Sequence, residues 1–293
     1  MPLTVPMVSD QLWIVVPAAG YGERMGGSTP KQYLDIAGQS MLQCTLSRLL
    51  SVPDLSGIVV VLAPDDVHWL DVPAGNDPLV HTTQGGQTRA DSVVSGLQYV
   101  LNQAPDASWV MVHDAARPLV SLSDIQRLFS AVYNSGAVGG LLATPVHDTL
   151  KRADEYCCVD TTVNRQSLWQ AQTPQMFRAG ELLNALERAL LPAVDVLQGD
   201  TQPMSQGQHD KTLHGHVDDS PADLPVDGQK DKHEAPNTSG HLASSVLTDE
   251  ASAMERLGHE PLLVEALEPN FKITRPGDLQ VAAAIITLSR EAL

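Results

Sequence analysis

Apolar positions along this chain follow two rhythms. "LWIVVPA" (12–18) and "GIVVVLA" (57–63) are short, continuous and β-branched, the pattern of strands buried on both faces, and "LVHTTQ" (79–84) is a shorter third. Between them "SMLQCTLSRLL" (40–50) reads as a helix with Ser40 as its N-cap. In "TRADSVVSGLQYVLNQ" (88–103), Val93, Val94, Leu97, Val100 and Leu101 share one helical face. "SWVMVHDAARP" (108–118) reads as a strand running into a polar loop, 121–134 as a helix, and "AVGGLLATPV" (137–146) as a further strand. Strands alternating with helices imply an α/β fold with a mainly parallel, doubly wound sheet. Ligands of such sheets sit at the carboxyl ends of strands, so the loops 19–32, 85–92 and 114–118 are expected to converge on one site.

Three later stretches break the rhythm. Residues 147–175 alternate polar residues without a helical period and are expected to form an extended arm or hairpin, a plausible dimerisation device. Residues 195–245 hold nine Asp or Glu against three Lys, five of the ten histidines and no Phe, Trp or Tyr. Such a stretch buries too little apolar surface to offset its ordering entropy, so a disordered, low-complexity insertion is expected within a single domain spanning 1–293. Its histidine spacings match no standard metal site. Beyond it, "LTDEASAMERLG" (247–258) reads as a helix with Thr248 as N-cap, "EPLLVEA" as a strand, "NFKITRP" as strand-like, and the segment from Pro276 as a closing amphipathic helix.

Charge narrows the partners. The chain has 293 residues and a formal net charge of −17, of which the insertion supplies −6 and the remainder −11. An acidic surface argues against a nucleic-acid backbone or anionic membrane as partner. No signal peptide and no apolar run of transmembrane length are expected, and the three cysteines (Cys44, Cys157, Cys158) show no disulfide or zinc spacing. A soluble cytoplasmic protein with free, buried or half-buried thiols is the expectation.

Candidate chemistry begins at "VVPAAGYGERMGGSTPKQY" (15–33). A dinucleotide fingerprint fails, because Met25 stands at the third glycine position and the next strand lies too far on. A P-loop fails too, because the chain has no Gly-Lys-Ser or Gly-Lys-Thr. The glycines still let backbone N–H groups approach phosphate oxygens, and Arg24 and Lys31 bring two cations to one loop. That suits a triphosphate gaining charge during attack at phosphorus. Asp114, at a strand end, is a natural Mg²⁺ ligand in company with phosphate oxygens, while His113 reads as a packing residue. In "GGQTRADS" (85–92), Gly86 brings backbone close and Ser92 offers a hydroxyl.

Seven fragments then occur in order: "PAAGYGERM…PKQY", "GGQTRADSV", "VHDAARP", "ATPVHDTLKRA", "NRQSLW…QTPQMF", "TDEASAME" and "NFKITRP". Together they resemble the 2-C-methyl-D-erythritol 4-phosphate cytidylyltransferase family across residues ~12–192 and ~246–290, with the family's site-marking sequence at 112–119. The resemblance implies a Rossmann-like nucleotidyltransferase fold, a homodimer whose arm reaches the partner's site, Mg²⁺, and transfer of CMP from CTP to methylerythritol phosphate with release of pyrophosphate, a step of the non-mevalonate route to isoprenoid precursors. Carried over, Ala18, Ala19, Gly20 and Gly22 wrap the CTP phosphates, and Arg24 and Lys31 stabilise charge at the α-phosphate. Gly86, Gln87 and Ser92 read cytosine and ribose, Asp114 holds the metal, and Ala115 and Arg117 line the site. Thr149, Arg165, Thr248 and Lys272 hold the methylerythritol phosphate, some across the dimer interface, with Arg165 and Lys272 also counted as catalytic.

Three departures stand out. Gln87 replaces a frequent acidic residue, Asn164 replaces the Asp that commonly precedes the arm Arg, and the insertion replaces a short loop before Thr248. Two other readings remain open: a cytidylyltransferase for another polyol phosphate such as ribitol 5-phosphate, and a catalytically silent CTP-binding dimer. A fusion with the pathway's later cyclodiphosphate synthase is set aside, because no further domain-length ordered segment remains.

Overall fold

In strand β1 (Leu12–Pro17), odd and even residues serve two different cores. Ile14 and Val16 pack with helices α1 (Met41–Leu49) and α3 (Leu122–Ser135), while Trp13 and Val15 pack with α2 (Arg89–Gln103), α4 (Ala179–Leu190) and α5 (Glu250–Arg256). A period of two on a sheet covered on both faces makes every residue of the run apolar. The computed structural model describes residues 11–20, 29–104, 108–191 and 247–291. Gly22, Arg24 and the predicted insertion 195–245 lie outside the described residues.

Among the described residues seven strands form the main sheet in the order β11-β7-β10-β6-β1-β4-β5. They are β4 (Leu55–Leu62), β5 (Val80–Gln84), β6 (Trp109–Val112), β7 (Gly139–Pro145), β10 (Trp169–Arg178) and β11 (Leu262–Glu265), together with β1. Small hairpins are formed by β2 (Asp35–Ile36) with β3 (Gln39–Ser40) and by β8 (Leu150–Ala153) with β9 (Val159–Val163). The chain runs outward from β1 through β4 to β5, then returns by α2 to β6 on the other side of β1. That reversal is a topological switch point, and its crevice opens where β1 and β6 end.

Most predicted elements are present, and their ends are chemically explained. Ser40 accepts the Gln43 amide as N-cap of α1. Thr88 caps α2 in a reciprocal box with Asp91. Pro276 opens α6 (Pro276–Glu291) at a first turn where no amide donor is needed.

Several expectations need correction. The arm is shorter than 147–175: β8 and β9 form the hairpin, but β10 lies inside the main sheet, antiparallel to both β6 and β7. The polar look of "QAQTPQ" conceals a core strand because Thr173 and Gln175 are buried and hydrogen-bonded, and Gln172 is buried with Nε2 3.4 Å from Thr144 Oγ1. Helix α4 follows directly, over residues to which the sequence pattern assigns no element. The cap of α5 is Asp249 rather than Thr248: its carboxylate accepts from the Ser252 amide at 3.0 Å, and Ser252 Oγ accepts from the Asp249 amide at 3.2 Å. Among the described residues "NFKITRP" joins no strand ladder. Instead the Ile273 amide donates to Ala116 O at 2.9 Å, pinning the segment beside the loop after β6. Cys44 is buried as expected, whereas Cys157 and Cys158 are exposed at the hairpin tip.

Candidate functional site

Three loops meet over the switch point, as the alternation of elements predicted. The cleft is lined by Ala18, Ala19 and Gly20 after β1, Gly86, Gln87 and Ser92 at the start of α2, and Asp114 and Ala115 after β6, with Lys31 and Lys272 beside them. Gln32, Thr88, Arg89 and Ala116 complete the lining together with Pro17. Gly85 explains how two of the loops come together. A Cβ there would sit 2.6 Å from Ala19 Cβ and 2.7 Å from Ser92 Oγ, so only hydrogen fits.

Each wall is held from below. Gln32 Nε2 donates to Ala18 O at 2.6 Å and ties the opening loop to the turn carrying Lys31. Lys31 Nζ donates to Ile273 O at 3.2 Å, which brings the opening loop to the segment of Lys272. The backbone at Asp114 is set by a relay. Its amide donates to Thr173 Oγ1 at 3.0 Å, Thr173 Oγ1 lies 3.1 Å from His113 Nδ1, and His113 Nε2 lies 3.1 Å from Arg117 O. A carbonyl can only accept, so Nε2 carries the imidazole proton, and the Thr173 hydroxyl donates to Nδ1. Burial pushes His113 down to about 4, which keeps it neutral and makes it the packing residue expected.

Asp114 is the electrostatic centre. Arg89 Nε meets its Oδ1 at 3.1 Å, while Lys272 Nζ and Arg117 Nε meet Oδ2 at 2.9 and 3.4 Å. Burial alone raises a carboxyl pKa, but the guanidinium of Arg89, then Lys272 and Arg117, hold this one well below the usual carboxylate range. Arg89 also forks onto buried Glu250, at 2.7 and 3.2 Å. Burial disfavours the Arg89 charge, and Glu250 and Asp114 more than reverse that. Arg117 is mostly buried, and its other donors reach Asn270 O at 2.7 Å and Ala171 O at 3.5 Å. Burial lowers the Arg117 pKa.

Thr149, Arg165 and Thr248 do not line this cleft. Thr149 and Arg165 are exposed at the base of the hairpin, where Arg165 Nη1 donates to His147 O. Thr248 is exposed just before α5. Sequence reasoning missed Arg89 and Glu250, which are 161 residues apart. The signal within reach was "TRAD", where an arginine follows a helix cap beside the glycine pair.

What this arrangement can do is hold phosphates against a cationic wall that has one carboxylate at its centre. Among the described residues no group of three or more His, Cys, Asp or Glu could cage a metal. Among the described residues that line the cleft Asp114 is the one carboxylate, a donor of the kind Mg²⁺ takes singly or in pairs while substrate phosphates and water complete its shell.

Solved structures share this architecture. A crystal structure of a 4-diphosphocytidyl-2C-methyl-D-erythritol synthase superposes with TM-score 0.67 at 29% identity, covering 95% of this chain and 100% of that one. The 2-C-methyl-D-erythritol 4-phosphate cytidylyltransferase of Francisella tularensis gives 0.65, also at 29% identity, covering 93% and 98%. Fold and site thus define the class, an α/β nucleotidyltransferase. Among curated relatives, the 2-C-methyl-D-erythritol 4-phosphate cytidylyltransferase of Pseudomonas putida is 40% identical over 269 residues, 92% of each chain. That of Ectopseudomonas mendocina is 41% identical over 273 residues, 93% of this chain and 94% of the relative. The sequence profile of the same family matches residues 12–227 and 220–288. The chain belongs to the 2-C-methyl-D-erythritol 4-phosphate cytidylyltransferase family, enzymes of isoprenoid biosynthesis.

Proposed function

We propose that this cleft binds CTP and 2-C-methyl-D-erythritol 4-phosphate and transfers CMP between them. The observation that carries the residue roles is the convergence of Lys31, Lys272 and Asp114 with three small-residue loops over one switch point. Ala18, Ala19, Gly20 and Gly22 take the triphosphate, and Gly86, Gln87, Ser92 and Ala115 the nucleoside. Asp114 holds Mg²⁺, which when bound neutralises phosphate charge. An oxygen of the acceptor phosphate attacks the α-phosphorus of CTP, the bond from that phosphorus to the bridging oxygen breaks, and pyrophosphate leaves with the electron pair. The nucleophile is already anionic, so no general base is needed. The barrier is one anion approaching another, and Arg24 and Lys31 lower it by charge and alignment. Lys272, Arg165, Thr248, Thr149 and Arg117 orient the acceptor.

The hairpin supports a homodimer. Residues 151–162 are all exposed, and a lone two-stranded hairpin is marginally stable in water. We place it against a second copy of the chain, which would bring Thr149 and Arg165 to the partner's cleft. The chain acts as one nucleotidyltransferase domain, and we assign it to the cytoplasm. Among the described residues no helix is long and apolar enough to cross a membrane.

Pyrophosphate release from CTP and Mg²⁺ tests the assignment, with methylerythritol phosphate and ribitol 5-phosphate as competing acceptors. Faster turnover of ribitol 5-phosphate overturns the acceptor. CTP binding without pyrophosphate release from either acceptor overturns the enzyme reading in favour of a silent binding dimer.

A further inference from the structure

The three cations on Asp114 are not equivalent. Arg89 is locked by its fork onto Glu250, a carboxylate only 1% exposed. Arg117 is locked by two backbone carbonyls and is 10% exposed at its side chain. Lys272 is 38% exposed, against 31% for Arg89, and its ammonium meets Asp114 Oδ2 at 2.9 Å without the second carboxylate that anchors Arg89. The backbone beneath it is fixed, since buried Asn270 donates to Thr173 O at 2.8 Å and the buried Ile273 amide donates to Ala116 O. Lys272 can therefore leave by side-chain rotation alone, on a four-carbon stem.

The charge balance gives that departure a consequence. Arg89, Arg117 and Lys272 against Asp114 and Glu250 leave one net positive charge around the carboxylate. A divalent cation added to that cluster meets repulsion, and both Asp114 oxygens already face a cation, Oδ2 facing two. With Lys272 displaced the cluster is neutral. A triphosphate arriving with the metal supplies the anions that draw the ammonium away.

We propose that Lys272 is an exchangeable placeholder cation on Asp114, which keeps free divalent metal off the carboxylate until nucleotide arrives and is then released toward the acceptor's phosphate. The proposal rests on the reading of Asp114 as the metal ligand and deepens it by ordering the exchange: metal enters with nucleotide, not before it.

The test is metal affinity without catalysis. Mn²⁺ binding to the nucleotide-free full chain is titrated by electron paramagnetic resonance for wild type, Lys272→Met and Lys272→Met/Asp114→Asn. Lys272→Met is expected to bind Mn²⁺ at least about tenfold more tightly than wild type, and the double variant is expected to lose that gain. Equal affinity in wild type and a folded Lys272→Met overturns the proposal, as does a gain that survives loss of Asp114. Lys272→Gln replaces Lys272→Met if the latter does not fold, judged by thermal unfolding. Pyrophosphate release by wild type is measured alongside. Turnover without the Mn²⁺ gain sinks the placeholder and leaves the function standing, while the gain without turnover does the reverse.

Discussion

Acid should destabilise this protein through His113 before it reaches the carboxylates. The imidazole is fully buried between Thr173 and the Arg117 carbonyl, and burial lowers its pKa from 6.5 to about 4. The hydrogen bond to the Arg117 carbonyl and the Asp114 carboxylate favour its charge and the Arg117 guanidinium opposes it, each more weakly than burial. In the unfolded chain it titrates near 6.5. Between the two values the unfolded state binds a proton that the folded state does not, so stability rises with pH across that window and falls on acidification. The full shift, 2.5 units at 1.36 kcal/mol each, amounts to about 3 kcal/mol. About 2 kcal/mol of it is lost between about pH 7.5 and about pH 5. Asp114 contributes only lower down: its folded pKa is depressed, so its share is present above the ordinary carboxylate value and is lost as pH falls below that. Urea unfolding of wild type and His113→Gln at several pH values isolates the effect, because contributions common to both cancel. The variant is expected to start about 1–3 kcal/mol less stable, from the broken relay, and to lose about 2 kcal/mol less on acidification. Parallel pH profiles for the two proteins would refute a buried neutral His113.

The same geometry sets four further outcomes. Lys31→Ala should lower the rate of pyrophosphate release by about 10²–10³, as loss of one transition-state donor does, with thermal stability little changed; equal rates remove Lys31 from the mechanism. Arg89→Met should cost about 3–5 kcal/mol in urea unfolding by stranding the buried Glu250 charge, while Arg89→Met/Glu250→Leu should recover much of it; no recovery argues against that ion pair as the cause. Gly85→Ala should weaken CTP binding more than it weakens the fold, because the added methyl forces the Ala19 and Ser92 walls apart; calorimetry showing unchanged affinity contradicts the close approach. Replacing 152–160 with a short glycine turn should convert a dimer to a monomer by light scattering, and an unchanged mass places the dimer contact elsewhere.

Local pattern made much of this molecule legible. The β-branched runs of β1 and β4, the apolar face of α2 and the Ser40 cap are short-range features, set by side-chain period and by the amide donors of a helix end. The alternation of strands and helices also predicted which loops meet, since a doubly wound sheet leaves one crevice at its switch point. Glycine spacing excluded two phosphate motifs, and the ordered fragments led to the family. What stayed hidden was long-range. Strand β10 looks like an arm because two of its polar residues find their partners far along the chain, Thr173 in the Asp114 amide and Gln175 in the Ala251 amide. Thr248 looked like a cap because it precedes the helix, and Asp249 took the role through its reciprocal bonds with Ser252.

The sequence by itself determined the class of fold and which loops converge on one cleft. The tertiary structure alone decided how the charges there are spent. Asp114 collects cations from residues 89, 117 and 272, and Arg89 divides itself between carboxylates at 114 and 250. No local pattern encodes such pairings. Electrostatic interaction depends on distance and burial, and both are set only once the sheet has brought those segments together.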